Sequence, residues 1–233
     1  MSGRWVRRCA LALALALPGC GCRHDPAPPA PLRLPDGAAL VLDGVVIQRA
    51  EVDAFLPFLR RLDPTMGRNK CIRLVLGEHL IPLAFARREF AALRTEQRTR
   101  AEALAKVLGS GGYDDAVQRT KRHDGAEVQT GVIRQALPLP EQEWLFAEEH
   151  VGRVSPVLET PQGFSLVAAA DRKSGITSAY DRVDALLVRF FTHKAKPYDA
   201  WLRALRQRLG SLAQTAKLVH PDYRDALPPW LTP

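Results

Sequence analysis

The chain has 233 residues and a mass of 25.8 kDa, room for one domain of ordinary size plus a smaller one, or one domain with long arms. Apolar residues make up 46% and charged residues 25%, a globular balance that excludes wholesale disorder, and four cysteines are too few for a disulfide-rich scaffold. The formal charge of +8 and the pI near 9.7 would suit a nucleic-acid or anionic-membrane partner, but N-terminal processing removes part of that charge. The basic residues also lack the interleaved aromatics of a nucleic-acid platform, so no nucleic-acid partner is expected.

Residues 1–19 read as an export signal. Arg4, Arg7 and Arg8 form a positive n-region, Cys9 to Leu17 an apolar stretch too short to span a membrane as a mature helix, and small residues follow. Leu17-Pro18-Gly19-Cys20 resembles the bacterial lipobox, which implies cleavage before Cys20 and a diacylglycerol anchor on it. Gly21, where an Asp would signal inner-membrane retention, favours the outer membrane. Cleavage takes three of the 33 basic residues and none of the 25 acidic ones, leaving a formal charge of +5. Residues 20–37, with Asp25-Pro-Ala-Pro-Pro-Ala-Pro, read as an extended tether. Of the remaining cysteines, Cys22 falls in that tether and Cys71 reads as a buried core thiol.

The folded region begins near Ala38. Ala39 to Leu42 and Val45 to Ile47 flank Asp43-Gly44, a hairpin signal. Val52, Phe55, Leu56 and Leu59 follow at helical spacing, and Pro64 and Gly67 end that helix. A long helical region is predicted over 69–108, kinked at Pro82, with a solvated stretch from Arg87 to Arg100. After Gly109-Ser110-Gly111-Gly112 come a short helix over 113–122, a strand over 128–133 and an acidic helix over 141–149. A β-run over 164–170 follows the turn Thr160-Pro-Gln-Gly163. Residues 180–191 permit either strand or helix. Tyr198, Trp201, Leu202, Leu205 and Leu209 form an apolar helix face, and residues 216–219 suit a short strand.

Several chemistries find no support. The glycine-rich stretch at 109–112 lacks the Lys-Ser or Lys-Thr of a phosphate loop. The six His are scattered, with none in His-x-x-x-His or with a Cys at ligand spacing, so no metal and no cofactor is expected. No Gly-x-Ser-x-Gly elbow supports a hydrolase. His123-Asp124, and the pairs Asp114-Asp115 and Glu148-Glu149, read as solvated charge.

Gly152-Arg153-Val154-Ser155-Pro156-Val157, then Thr160-Pro-Gln-Gly163-Phe164 and a β-run to Asp171-Arg172, is similar to the end of a parvulin domain. Leu42-Asp43-Gly44-Val45-Val46-Ile47 through Val52 resembles the start of SurA-like and PrsA-like foldases, and the Trp201-Leu202 helix resembles their C-terminal helix. The resemblance implies an α+β protein. A helical chaperone-like module would come from residues 38–100 and 174–233, around a divergent, small parvulin-like α/β domain at 101–173. It implies an envelope-located, lipid-anchored foldase on the periplasmic side that binds unfolded or nascent exported proteins. Two departures bear on peptidyl-prolyl isomerisation. Ser165 stands where the family places a His on the last strand, and it cannot replace imidazole hydrogen bonding. No His-bearing strand precedes the 101–112 helix, and Leu186-Leu187-Val188 is the segment left to supply a topologically displaced strand. The implied activity is therefore weak or lost.

Rotation about an X-Pro bond needs an apolar pocket for the ring and polar groups that favour the twisted amide. Trp144, Phe146 and Phe164 are the candidate substrate-binding wall, with core packing as the competing reading. The rival function is a non-catalytic adaptor lipoprotein that holds one specific partner in an envelope complex.

Overall fold

The computed structural model describes residues 33–109, 111–176, 180–193, 195–212 and 217–232. The signal segment, Cys20, Cys22 and most of the Pro-rich tether lie outside the described residues. The fold class is α+β: among the described residues every strand pairing is antiparallel, and the strands form two separate sheets.

The first sheet opens with the predicted hairpin, β1 (Ala38–Leu42) and β2 (Val45–Gln48). Asp43 and Gly44 both take positive φ, 49° and 73°, the pairing that a two-residue turn of matching twist requires. The third strand, β7 (Lys217–Val219), comes from the other end of the chain and pairs with β1, Leu40 opposite Val219. Helix α1 (Arg49–Leu62) starts with the Gln48 backbone N–H donating to the Glu51 carboxylate at 3.0 Å.

Next come α2 (Arg68–Leu74), a π-helical turn over Val75–Leu80, and α3 (Ile81–Glu89). The expected kink at Pro82 is absorbed by that π turn, in which the Ile81 N–H reaches back to the Leu76 carbonyl. Proline cannot donate to the carbonyl four residues back and its ring crowds it, so a wider turn accommodates it without breaking the run. The break falls instead at Phe90 (φ −118°, ψ 27°), before α4 (Ala91–Leu108).

The hairpin, α1 to α3 and the C-terminal segment share one core. Leu40, Leu42, Val52, Ile72, Leu76 and Phe85 pack with Leu205 and Leu209 of α7 (Ala195–Leu212) and with Tyr223, Leu227 and Leu231 beyond it. Cys71 is buried there with its thiol free. Polar ties fasten the same halves. Arg73 donates to the carbonyls of Asp225 and Leu227 at 3.2 Å each, and the Trp201 indole N–H donates to Glu89 at 2.7 Å.

The second sheet has four strands in the order β3-β6-β5-β4: β3 (Ala126–Ile133), β4 (Leu158–Thr160), β5 (Gly163–Lys173) and β6 (Arg182–Phe191). The ambiguous 180–191 segment is thus an inner strand. Alternate residues of β5 and β6 serve two cores. Phe164, Leu166, Ala168, Leu186, Val188 and Phe190 pack under α4 and α5 (Tyr113–Thr120). Val167, Ala169, Ala185 and Leu187 pack on the other face with Leu145 of α6 (Leu139–Leu145) and with Phe146. A strand buried on both faces carries a continuous apolar run rather than an alternating one.

Candidate functional site

A cleft of ≈ 1190 Å³ opens between the helical module and the second sheet. Leu59 and Leu62 at the end of α1, Pro64 and Met66 in the loop after it, and Leu74 and Glu78 form one wall. The opposite wall is the chain running from β3 into α6, with Arg134, Ala136, Leu137, Leu139 and Gln142. Pro161 and Gln162 of the β4–β5 turn, Arg189 and Phe191 at the end of β6, and Tyr198 and Leu202 of α7 complete it. The walls are largely aliphatic, with scattered amides and a few charges, the composition of a site that takes apolar groups and fixes them through a few polar contacts. Phe191 is among the exposed large hydrophobics and Tyr198 is buried; burial pushes the Tyr198 hydroxyl up to about 12, so it is a neutral donor at physiological pH.

Buried charges hold these walls in place. Arg94 of α4 is 4% exposed. It donates to the Glu159 carboxylate at 2.8 Å, to the Thr160 carbonyl at 2.9 Å and to the Pro161 carbonyl at 3.3 Å. Arg87 grips the same carboxylate with two bonds, 3.1 and 2.6 Å. Desolvation acts to raise the Glu159 carboxyl, but the hydrogen bonds from Arg87 and Arg94 outweigh it and hold the group below its ordinary value. The turn that brings Pro161 and Gln162 to the cleft is therefore anchored to the helices. Arg87 and Arg94 belong to the 87–100 stretch expected to be solvated. Arg94 overturns that expectation because its position faces the sheet, and its guanidinium lies 5.0 Å above the Phe164 ring.

The second strut lies inside the sheet half. Glu141 is 1% exposed and accepts two bonds from Arg189, at 3.2 and 2.6 Å. This ties α6 to β6 and sets the angle at which Leu137 and Leu139 face the cleft. Glu141 opens the helix that the sequence presents as acidic, without a sign of its own that it is buried. Arg189, a lone cation in the apolar run 183–191, was the sequence signal that a buried acid had to exist nearby.

Trp144, Phe146 and Phe164 do not share a surface, and none of them lines the cleft. Phe146 is buried in the α6-side core, and Trp144 packs against that core while stacking on His150 at 3.7 Å and 9°. Phe164 is buried on the opposite face of the sheet. Ser165 is 1% exposed and lies in register between Leu158 and Arg189, its hydroxyl unpartnered. Ser155 accepts from the Val167 N–H at 2.9 Å and donates its own N–H to the Val167 carbonyl at 2.8 Å, shaping the turn into β4. His123 accepts from the Gly125 N–H at 3.2 Å and meets the Phe190 ring edge-on.

No known protein family, curated protein or solved structure matches the chain. Among the described residues, no helix is long and apolar enough to cross a membrane.

Proposed function

We propose that this protein is a lipid-anchored foldase of the cell envelope that binds unfolded exported polypeptides as a chaperone, with proline isomerisation weak or lost. The observation that carries the reading is the cleft. It is large enough for several residues of extended chain and lined by Leu, Met and Pro side chains from six elements. Such an apolar surface suits weak, promiscuous capture of segments that a folded protein would bury. The order of the second sheet supports the foldase resemblance: β6 lies between β3 and β5, as a displaced strand replacing the one missing before α4 would. The reduced isomerase activity rests on Ser165, a buried hydroxyl with no imidazole beside it in register.

The test pairs two assays on the full chain. Aggregation of a chemically unfolded client should fall at near-stoichiometric protein. Refolding of a proline-limited reporter should show no acceleration at catalytic concentrations, where a competent isomerase would shorten a phase of tens of seconds. A chain that leaves client aggregation unchanged has the adaptor function instead.

A further inference from the structure

The charged groups of the cleft are not all matched. Glu78 is bound by Arg206 at 3.0 Å, and Arg189 is bound by Glu141. Asp63 directs one oxygen to the Thr65 N–H and hydroxyl, at 3.0 and 2.6 Å. Arg134 differs. It follows β3 directly, in a 3₁₀ turn over Arg134–Ala136 in which its carbonyl accepts from the Leu137 N–H at 3.0 Å, and its side chain takes part in no ion pair or hydrogen bond among the described residues. Its Nη1 is shut off from water without an acceptor. Burial works against its charge, and the carboxylates of Asp63 and Asp181 act on it only from a distance. Asp181 is itself engaged with Arg172 at 3.0 Å.

A guanidinium always carries its charge and presents a planar fork that fits a carboxylate. The side chain is half-buried, and leaving its shielded Nη1 unmatched is costly; a ligand that brings a carboxylate to the fork relieves that cost. The aliphatic walls select segments poor in acidic side chains. The one carboxylate that a polypeptide carries whatever its side chains is at its C-terminus, so an apolar segment brings a carboxylate only where it ends the chain. From this we infer that Arg134 receives the C-terminal carboxylate of an extended apolar polypeptide, so that the cleft reads chain ends in preference to chain interiors. The inference rests on the polypeptide-binding reading above and narrows its substrate class.

The probe is a hexapeptide of Leu, Val and Ala with a neutral fluorophore at its N-terminus, measured by anisotropy against the full chain. Three forms are compared: free carboxylate, C-terminal amide, and an amide with one internal Glu. The free acid should bind roughly tenfold tighter than either amide, the range for a hydrogen bond to a charged group. Arg134→Gln should bring the acid-to-amide affinity ratio down to about one, and Arg134→Lys should keep part of the preference. A thermal melt of each variant checks its fold, and the acid-to-amide ratio of the unaltered protein stands without any variant. Equal binding of acid and amide overturns the inference and leaves the polypeptide reading intact. So does an internal Glu that restores full affinity, which would make the ligand an acidic side chain. Failure of all three peptides, with client aggregation still suppressed, also overturns the inference alone. If client binding fails as well, both readings fall.

Discussion

The helical module and the sheet half solve the same packing problem with different chemistry. The module joins the first and last described segments through a largely apolar core, with His79 and Tyr223 buried in or against it. The sheet half buries Arg94, Glu141 and Asp181 along with several hydroxyls. Apolar burial is non-directional and tolerates some sliding, which suffices where helices close on one another. The sheet half must present the 134–142 segment, the β4–β5 turn and the end of β6 to one cleft. Its charges sit at the joints: Arg189–Glu141 between β6 and α6, Arg94–Glu159 between α4 and β4. Directional pairs fix orientation there, and their cost is sensitivity to loss of either partner.

The largest expected effect tests that sensitivity. Glu141→Ala leaves Arg189 desolvated without its acid and should destabilise the protein by about 3–4 kcal/mol, read from urea unfolding. Replacing both partners, Glu141→Leu with Arg189→Met, should recover most of the loss, because the pair itself contributes little net stability against an apolar pair of similar volume. The double variant should nevertheless bind clients less well, since α6 would no longer be held at its angle. Recovery of both stability and binding would show that the charges do not orient the cleft.

The module's core has its own electrostatic weak point. His79 is 3% exposed, its Nδ1 has no partner, and its ring meets Phe55 edge-on at 5.0 Å. Desolvation, with Arg87 adding to it, lowers its pKa from 6.5 to about 4. The folded state therefore refuses a proton that the unfolded chain takes up below pH 6.5. This contribution to stability is complete above that pH and is lost as the pH falls toward 4. Between pH 7 and pH 4.5 the loss should be about 2–3 kcal/mol. His79→Leu should remove that part of the pH dependence while changing stability little at pH 7. An unchanged slope in the variant would place the acid sensitivity in the carboxylates of the sheet half instead.

Local signals made much of the module legible and little of the cleft. Asp43-Gly44 specifies its turn through backbone conformation alone, and α1 shows its apolar face at helical spacing, so both could be read without knowing their neighbours. Residues 180–191 could not be assigned because β6 is buried on both faces, and a doubly buried strand has no period to distinguish it from a helix. Arg94 was hidden for a related reason. A cation among many cations on a helix reads as solvent-facing, and only the return of the chain at Glu159, 65 residues later, makes it an interior strut. The cleft draws on segments from Leu59 to Leu202, and its parts share no motif. Trp144, Phe146 and Phe164 were picked as a wall by residue type, but the parity of β5 sends Phe164 to the face opposite α6.

The smallest expected effect checks that burial, not charge pairing as such, separates the two regions. Arg98 and Glu102 of α4 form an i, i+4 pair at 2.8 Å with both side chains about half exposed, 64% and 49%. Water and salt screen such a pair, and ordering two long side chains offsets most of what remains. Arg98→Ala should therefore shift stability by less than about 0.5 kcal/mol, and its coupling to Glu102→Ala should shrink further in 0.5 M salt. The pair lies on the same helix as Arg94 and involves the same type of cation, so helix propensity and composition are closely matched. A cost near that of Glu141→Ala would mean that α4 draws its stability from its surface charges, and the division between a largely apolar module and a charged, oriented sheet half would have to be redrawn around that helix.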